Sequence, residues 1–390
     1  MKILFITPGK LPVPAVKGGA VENLIQLLLE SNELIDNNEI SVISSYDYKA
    51  NQVSKNYNDI NFFYVNTQSI LYKIKRGIRY LINRLPKVYV GNEYIYKVNK
   101  FLKKNNLKYD MIIIENSPEY ILKIKHKFSN KVILHTHNDF INKNTDQALK
   151  ILHQYDGVFS LSEYISNRVR EIDSNYNKVY TLYNGIDTKK FCKKECNINY
   201  YKNKFNISNK DFVYIYTGRI TPEKGVKELI IAFKEVYGNN KFFKLIICGD
   251  FNKINNKNRK YIKDLKKMVE NNQNIICTGY IEYDSLSELY NIANVGVIPS
   301  IWEEPFALTV IENMSCGNPV IVSKSGGMVE LVTKNEGIIV DKNNDFIKNL
   351  KQALLEIENK KYNTEEIIKH AQKFSKENYQ NNFIKYIKEV

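Results

Sequence analysis

The run K-I-L-F-I-T-P-G-K-L-P-V-P-A-V-K-G-G-A-V-E-N-L-I-Q-L-L-L, Lys2 to Leu29, sets out the unit from which the chain is built. Lys2 to Ile6 is an apolar strand. Thr7 to Lys17 is a loop punctuated by Pro8, Gly9, Pro12 and Pro14. After Gly18-Gly19-Ala20, the residues Val21, Leu24, Ile25 and Leu28 repeat at helical spacing, so the diglycine opens a helix directly behind the first strand and its loop. Glycines there let backbone lie against a phosphate with no Cβ in the way, and the helix dipole favours the negative charge. As a hinge, a Gly-Gly pair needs no ligand; its place at the first β–α junction is what points to one.

The same alternation continues along the chain. Strands are expected at Glu39–Ser44, Asn61–Val65, Asp110–Glu115, Lys131–Thr136, Gly157–Leu161 and Lys178–Leu182, with helical or polar stretches between most of them. A second series follows at Phe212–Thr217, Phe243–Cys248, Ile275–Thr278, Asn294–Pro299, Pro319–Ser323 and Gly337–Val340, separated by helical patterns such as Val226–Tyr237 and Leu286–Ala293. Strands alternating with helices specify a parallel, doubly wound sheet, here twice. The expected division is a first domain at 1–187, a polar linker at 188–209, a second domain at 210–363, and a helical tail at 364–390 that packs back across the boundary.

In such sheets ligands sit off the carboxyl ends of the strands. After Lys131–Thr136 come His137, Asn138 and Asp139. His135 lies on the strand and reads as a packed core residue, whereas His137 falls at its end, where it can meet a substrate. After Phe212–Thr217 the chain reads Gly218-Arg219-Ile220-Thr221-Pro222-Glu223-Lys224-Gly225. Two cations five residues apart on a strand-to-helix loop can clamp a diphosphate, Arg219 through its forked donors and Lys224 as a point charge. Farther on, Glu304-Pro305-Phe306-Ala307-Leu308 enters a helix containing Val310, Ile311, Glu312 and Met314, and Gly317 with Pro319 stops it. The amides of Phe306, Ala307 and Leu308 at that helix start, with Glu304 before it and Glu312 inside it, suit a long polyhydroxyl ligand. The plainer alternative is a loop-to-helix junction with solvated acids.

At 390 residues and 43% apolar content the chain is long enough for two cores. No run has the 18 or more uncharged apolar residues of a membrane span, and the apolar start reaches Thr7-Pro8-Gly9 too soon for a signal peptide, so a cytoplasmic location is expected. Cys192, Cys196, Cys248, Cys277 and Cys316 are odd in number and mostly embedded in apolar runs, which reads as reduced thiols. The formal charge of +15 implies attraction to something anionic, part of it owed to a codon bias toward Lys and Asn. Between Ser69 and Lys104 the cations Lys73, Lys75, Arg76, Arg79, Arg84, Lys87, Lys97, Lys100, Lys103 and Lys104 are interleaved with Ile70, Leu71, Ile74, Ile78, Tyr80, Leu81, Ile82 and Leu85. A basic amphipathic segment of this kind can rest on an anionic membrane surface, although such a face is more often simply solvated.

Taken together these residues resemble the retaining glycosyltransferases of family four. The likeness spans nearly the whole chain: Gly18-Gly19-Ala20, His135-Thr136-His137-Asn138-Asp139, Asn184-Gly185-Ile186-Asp187, Gly218-Arg219 with Glu223-Lys224-Gly225, the pair Glu304 and Glu312 spaced as that family's E-x7-E signature, Cys316-Gly317-Asn318-Pro319, and Ser325-Gly326-Gly327. The resemblance implies a GT-B fold, two Rossmann-like doubly wound domains facing across a cleft, the first for the acceptor and the second for the donor. It implies transfer of a hexose or N-acetylhexosamine from a nucleotide diphosphate sugar, UDP-sugar favoured, to a glycan, lipid-linked or cell-envelope acceptor. Arg219 and Lys224 would hold the donor diphosphate, Glu304 with the Phe306, Ala307 and Leu308 amides the sugar hydroxyls, and Glu312 the ribose. His137 would contact the sugar, and Gly18 with Gly19 would allow close approach to the phosphates. The absence of an Asp-x-Asp motif at a strand end leads to the expectation of no metal and no cofactor. No nucleic-acid partner is expected, and the basic segment 69–104 is expected to hold the enzyme peripherally on the inner face of the cell membrane. A nucleotide-sugar 2-epimerase on the same fold and a non-catalytic basic polyanion-binding protein are the rival readings. The base, acceptor, linkage and oligomeric state stay open.

Overall fold

The computed structural model describes residues 1–85, 89–124, 128–194, 198–238, 240–252 and 258–390; Lys87 and Cys196 lie outside the described residues. The chain divides into two compact units, Met1–Gly185 with Glu377–Val390, and Ile186–Lys376.

The first unit holds β1 (Lys2–Ile6), β2 (Glu39–Ser45), β3 (Ile60–Val65), β4 (Tyr109–Glu115), β5 (Ser129–Thr136), β6 (Gly157–Ser160) and β7 (Val179–Thr181) in the order β3-β2-β1-β4-β5-β6-β7. Every pairing recorded in it is parallel, with Ile3 beside both Ile40 and Met111. The strands are apolar on both faces because both are covered. Leu4, Ile6, Ile112, Ile114 and Leu134 join one core cluster, while Ile3, Phe5, Met111, Ile113 and Phe159 join the other.

The second unit holds β8 (Phe212–Thr217), β9 (Phe243–Cys248), β10 (Ile275–Gly279), β11 (Val295–Ile298), β12 (Val320–Ser323) and β13 (Gly337–Val340), ordered β10-β9-β8-β11-β12-β13 and again parallel throughout. In each unit the order reverses once, between β1 and β4 and between β8 and β11. A crevice opens at such a reversal because the flanking connections run to opposite faces of the sheet.

Two expectations about the domain layout are corrected. Residues 188–209 are not a free linker: Phe191 is fully buried with its ring 5.2 Å from Tyr283 and 6.0 Å from Tyr290, and Ile198–Lys204 is a helix with Tyr201 buried. Isolated aromatic anchors fasten this polar stretch to the second unit. Nor is 364–390 one element. Thr364–Ala371 packs within the second unit, near Gly317, and Lys376–Glu389 joins the first, where Phe383 stacks 5.9 Å from Phe5. The break falls at Ser375, which is extended and bridges to Ile186.

Candidate active site

In the second unit the loop after β8 is drawn against the end of β11. Gly225 has φ +70°, and a Cβ there would lie 1.8 Å from the Pro299 carbonyl oxygen, so only glycine permits the approach. That approach delivers Lys224, on the short turn Pro222–Lys224, to Glu304 beyond β11. The Lys224 ammonium donates to Glu304 Oε1 at 2.5 Å, and the Ser300 hydroxyl donates to the same oxygen at 2.6 Å. The Glu304 side chain is 6% exposed and that of Lys224 18%, so the pair is largely desolvated. The Glu304 backbone is fixed as well, its N–H donating to Ser325 Oγ at 3.3 Å and its carbonyl accepting from Gly327 N–H at 2.8 Å. Arg219 extends into solvent, 68% exposed and only 3.7 Å from Glu223, leaving its guanidinium available to an incoming anion.

Phe306 and Ala307 are buried before the helix Leu308–Ser315, whose start has no side-chain cap. Glu312, inside that helix, is 2% exposed and accepts from Tyr290 Oη at 2.7 Å and Tyr283 Oη at 3.1 Å. Burial pushes its carboxyl upward, and the two tyrosine hydrogen bonds oppose this. Its reach is therefore narrower than the sequence suggests: a ligand hydroxyl gains Glu312 by sharing with or displacing Tyr283, a residue 37% exposed.

In the first unit, Gly19 has φ +101°, and a Cβ there would strike Glu22 Oε2 at 2.2 Å. Glu22 is 5% exposed, and its carboxyl is raised chiefly by burial, with the charge of Glu115 contributing. At the ends of β4 and β5, Glu115 receives two imidazoles, His137 through Nε2 at 2.7 Å and His135 through Nδ1 at 3.1 Å. Burial alone would raise Glu115, but the His135 charge with the hydrogen bonds from both rings outweighs it and holds the carboxyl at about 2. Burial, reinforced by repulsion from His135, depresses His137 to about 4. His137 is thus neutral at pH 7. Because the ionised Glu115 accepts from Nε2, the His137 proton sits there and Nδ1 is left as a buried acceptor without a partner among the described residues. Such an atom is costly until a donor arrives, and a sugar hydroxyl is one.

Glu115, His135 and His137 also offer three ligand atoms within 4.8 Å of one another, a two-imidazole, one-carboxylate set that could take a divalent ion. Their separations are those of hydrogen bonds, with both rings directing protons at the carboxylate. Glu115 was not singled out by the sequence reading, although the signal was present: it ends a strand as His137 does. Glu22, Ser300 and the tyrosines on Glu312 carry no such signal, since only the fold brings them in.

The protonation pattern predicts a pH dependence. Above pH 6.5 His137 is neutral whether folded or unfolded. Below it the unfolded chain takes up a proton that the folded chain refuses until about pH 4, so stability falls as pH drops through that window. Glu115 extends the loss from about pH 4.5 down toward 2. Urea unfolding of the first unit is expected to weaken by on the order of 3 kcal/mol between pH 7 and 4, and a His137→Gln variant is expected to flatten that slope.

Parallel Rossmann-like sheets, one in each of two units with polar groups gathered at its reversal point, make this a protein of the GT-B fold class. The family model described as "Glycosyl transferases group 1" matches residues 197–385. Over 389 residues the chain is 26% identical to "Putative glycosyltransferase YtcC" of Bacillus subtilis (strain 168), covering 95% of this chain and 88% of that one. It is 29% identical over 230 residues to "Lipopolysaccharide 1,2-N-acetylglucosaminetransferase" of Salmonella typhimurium, covering 57% of this chain and 56% of that one. Among solved structures, Anabaena Alr3699/HepE in complex with UDP and glucose superposes with a TM-score of 0.73 over 100% of both chains at 18% identity. No helix among the described residues is long and apolar enough to cross a membrane.

Proposed function

We propose that this protein is a retaining glycosyltransferase that moves a hexose or N-acetylhexosamine from a nucleotide diphosphate sugar, with UDP-sugars favoured, to a hydroxyl of a glycan, lipid-linked or cell-envelope acceptor. The observation that carries this reading is the desolvated Lys224–Glu304 pair at the β8/β11 reversal, with the exposed Arg219 beside it on the same loop. A diphosphate arriving between Arg219 and Lys224 takes over the lysine, and Glu304 is released to accept from sugar hydroxyls. As the bond between the anomeric carbon and the phosphate oxygen breaks, negative charge grows on the leaving diphosphate and the two cations stabilise it. The acceptor oxygen bonds to the same face of the anomeric carbon, and its proton passes to the departing phosphate oxygen. His137 Nδ1 accepts from a sugar hydroxyl. The glycosyltransferase relatives and the UDP named for the Anabaena neighbour support the donor class. No metal or prosthetic group is needed for this scheme, because the two cations supply the positive charge.

A thermal-shift screen over UDP-, GDP- and ADP-sugars, with and without chelator, tests it. A donor at about a hundred times its dissociation constant adds about 2.7 kcal/mol, and chelator leaves that gain unchanged. No stabilisation by any nucleotide sugar contradicts the reading, and a gain abolished by chelator contradicts the metal-free part.

The acceptor side of the proposal includes a membrane surface. On the helix Ile70–Ile82, Ile70, Leu71, Ile74, Ile78 and Leu81 are exposed by 53 to 77%, with Lys73 and Lys75 exposed beside them. An apolar stripe left in water beside cations matches an anionic bilayer. Ile74→Glu with Leu81→Glu is expected to cut co-sedimentation with anionic vesicles at least tenfold, each side chain losing about 1.5–3 kcal/mol of burial, without disturbing the fold. Equal binding to neutral and anionic vesicles by the unaltered protein contradicts it.

A further inference from the structure

The sequence holds one tryptophan, Trp302, and the fold sets it beside Lys224. The Lys224 ammonium lies over the indole, 5.2 Å from the ring centroid, inside the roughly 6 Å at which a cation feels the negative face of an aromatic ring. The segment that carries the ring is pinned. The N–H groups of Ile301 and Trp302 both donate to the Glu223 carbonyl, at 2.9 and 3.4 Å, so the residue before Lys224 is tied to the backbone of the ring. The Trp302 carbonyl accepts from the Ser325 hydroxyl. Glu303 is engaged away from the lysine, accepting from Lys342 Nζ at 2.5 Å and from the Gly326 N–H at 2.6 Å. Lys224 therefore sits between a carboxylate, that of Glu304, and a neutral ring.

These two neighbours hold the ammonium in different ways. A carboxylate binds it strongly but cancels its charge, and an arriving diphosphate must compete for it. The face of an indole attracts a cation through its quadrupole and carries no net charge, so the lysine keeps its full positive charge for a third party. A lysine released by Glu304 with no ring beside it would swing on its flexible four-carbon stem. With the ring, the ammonium stays where the carboxylate left it. Part of Trp302 is in water, the residue being 37% exposed, which keeps the attraction modest.

We propose that Trp302 is a positioning residue for the donor diphosphate: the face of its indole holds the Lys224 ammonium in place while Glu304 gives it up to the phosphate oxygens. This rests on the glycosyltransferase reading and adds to it a residue that acts on the donor through Lys224.

Calorimetric titration of the full chain with UDP, GDP and ADP picks the tightest of the three as the probe. A sole tryptophan can be replaced throughout the chain without touching another site, so the titration is repeated on protein made with mono-, di- and trifluorotryptophan. Each fluorine draws electron density from the ring face and leaves its shape nearly the same. A ring that acts by shape alone, keeping water from the Lys224–Glu304 pair, gives one affinity across the series. A ring that acts on the charge gives affinities that fall step by step, by about three- to tenfold at the trifluoro ring, and this is the expected result. In the Lys224→Ala background the same series is expected to be flat. Trp302→Phe is expected to bind within about threefold of the unaltered protein and Trp302→Leu about tenfold more weakly. The inference is overturned if fluorination leaves binding unchanged, or if the fall persists without Lys224, which would put the ring against the nucleotide itself. Nucleotide binding with a flat series removes only the role of Trp302; binding of none of the three removes the donor reading along with it.

Discussion

Lys224→Ala is expected to lower kcat/KM by about 10²–10³-fold, the size of loss seen when one preorganised electrostatic group is taken from a site of developing charge. The substitution has a structural cost as well. It leaves the Glu304 carboxylate buried with only the Ser300 hydroxyl on the oxygen the lysine held, and breaking a largely buried pair from one side costs about 3 kcal/mol. Activity and stability are separable through a second change. Lys224→Ala with Glu304→Gln removes the stranded charge and is expected to recover most of the melting temperature while turnover stays lost. Recovery of turnover in the double variant would mean that the lysine serves only to neutralise Glu304.

Glu115→Gln is expected to lower kcat/KM by about a hundredfold with the fold retained. The carboxylate accepts from both rings, His137 Nε2 at 2.7 Å and His135 Nδ1 at 3.1 Å. An amide has one oxygen and an N–H₂ group, so where the N–H₂ turns toward His137 that imidazole becomes the acceptor and moves its own proton to the far nitrogen. When His137 switches, Nδ1 carries the proton and no longer accepts from a hydroxyl. Imidazole nitrogen chemical shifts report this directly: Nε2–H in the unaltered protein, Nδ1–H in the variant. Full activity with a switched tautomer would remove His137 from contact with the sugar; full activity with no switch would remove Glu115 from any role in setting it.

The strands were legible because each is an apolar run bounded by turn residues, and a strand buried on both faces has nothing else to be. Lys2–Ile6, Phe212–Thr217, Phe243–Cys248 and Gly337–Val340 begin and end where the sequence places them, and the others shift by a residue or two. The order of the strands was not legible in local patterns; it followed from the topology that alternating strands and helices prefer. Phe191, Tyr201 and Ile207 could not be seen as anchors, because single apolar residues in a polar stretch have no period. The turn at Ser375 depends on a bridge to Ile186, far back in the chain. For the site, motif residues on strand-end loops were visible one by one. That Lys224 and Glu304 are in contact was not, since 80 residues separate them and only the close approach at Gly225 brings their loops together.

Titrating the nucleoside diphosphate of the best donor into the full chain and into the Arg219→Ala, Lys224→Ala double variant measures whether these two cations hold the leaving group. Dissociation constants at least a hundredfold apart are predicted, two charged contacts being lost. Equal constants would contradict the assignment of the donor diphosphate to this loop, and with it the proposed mechanism.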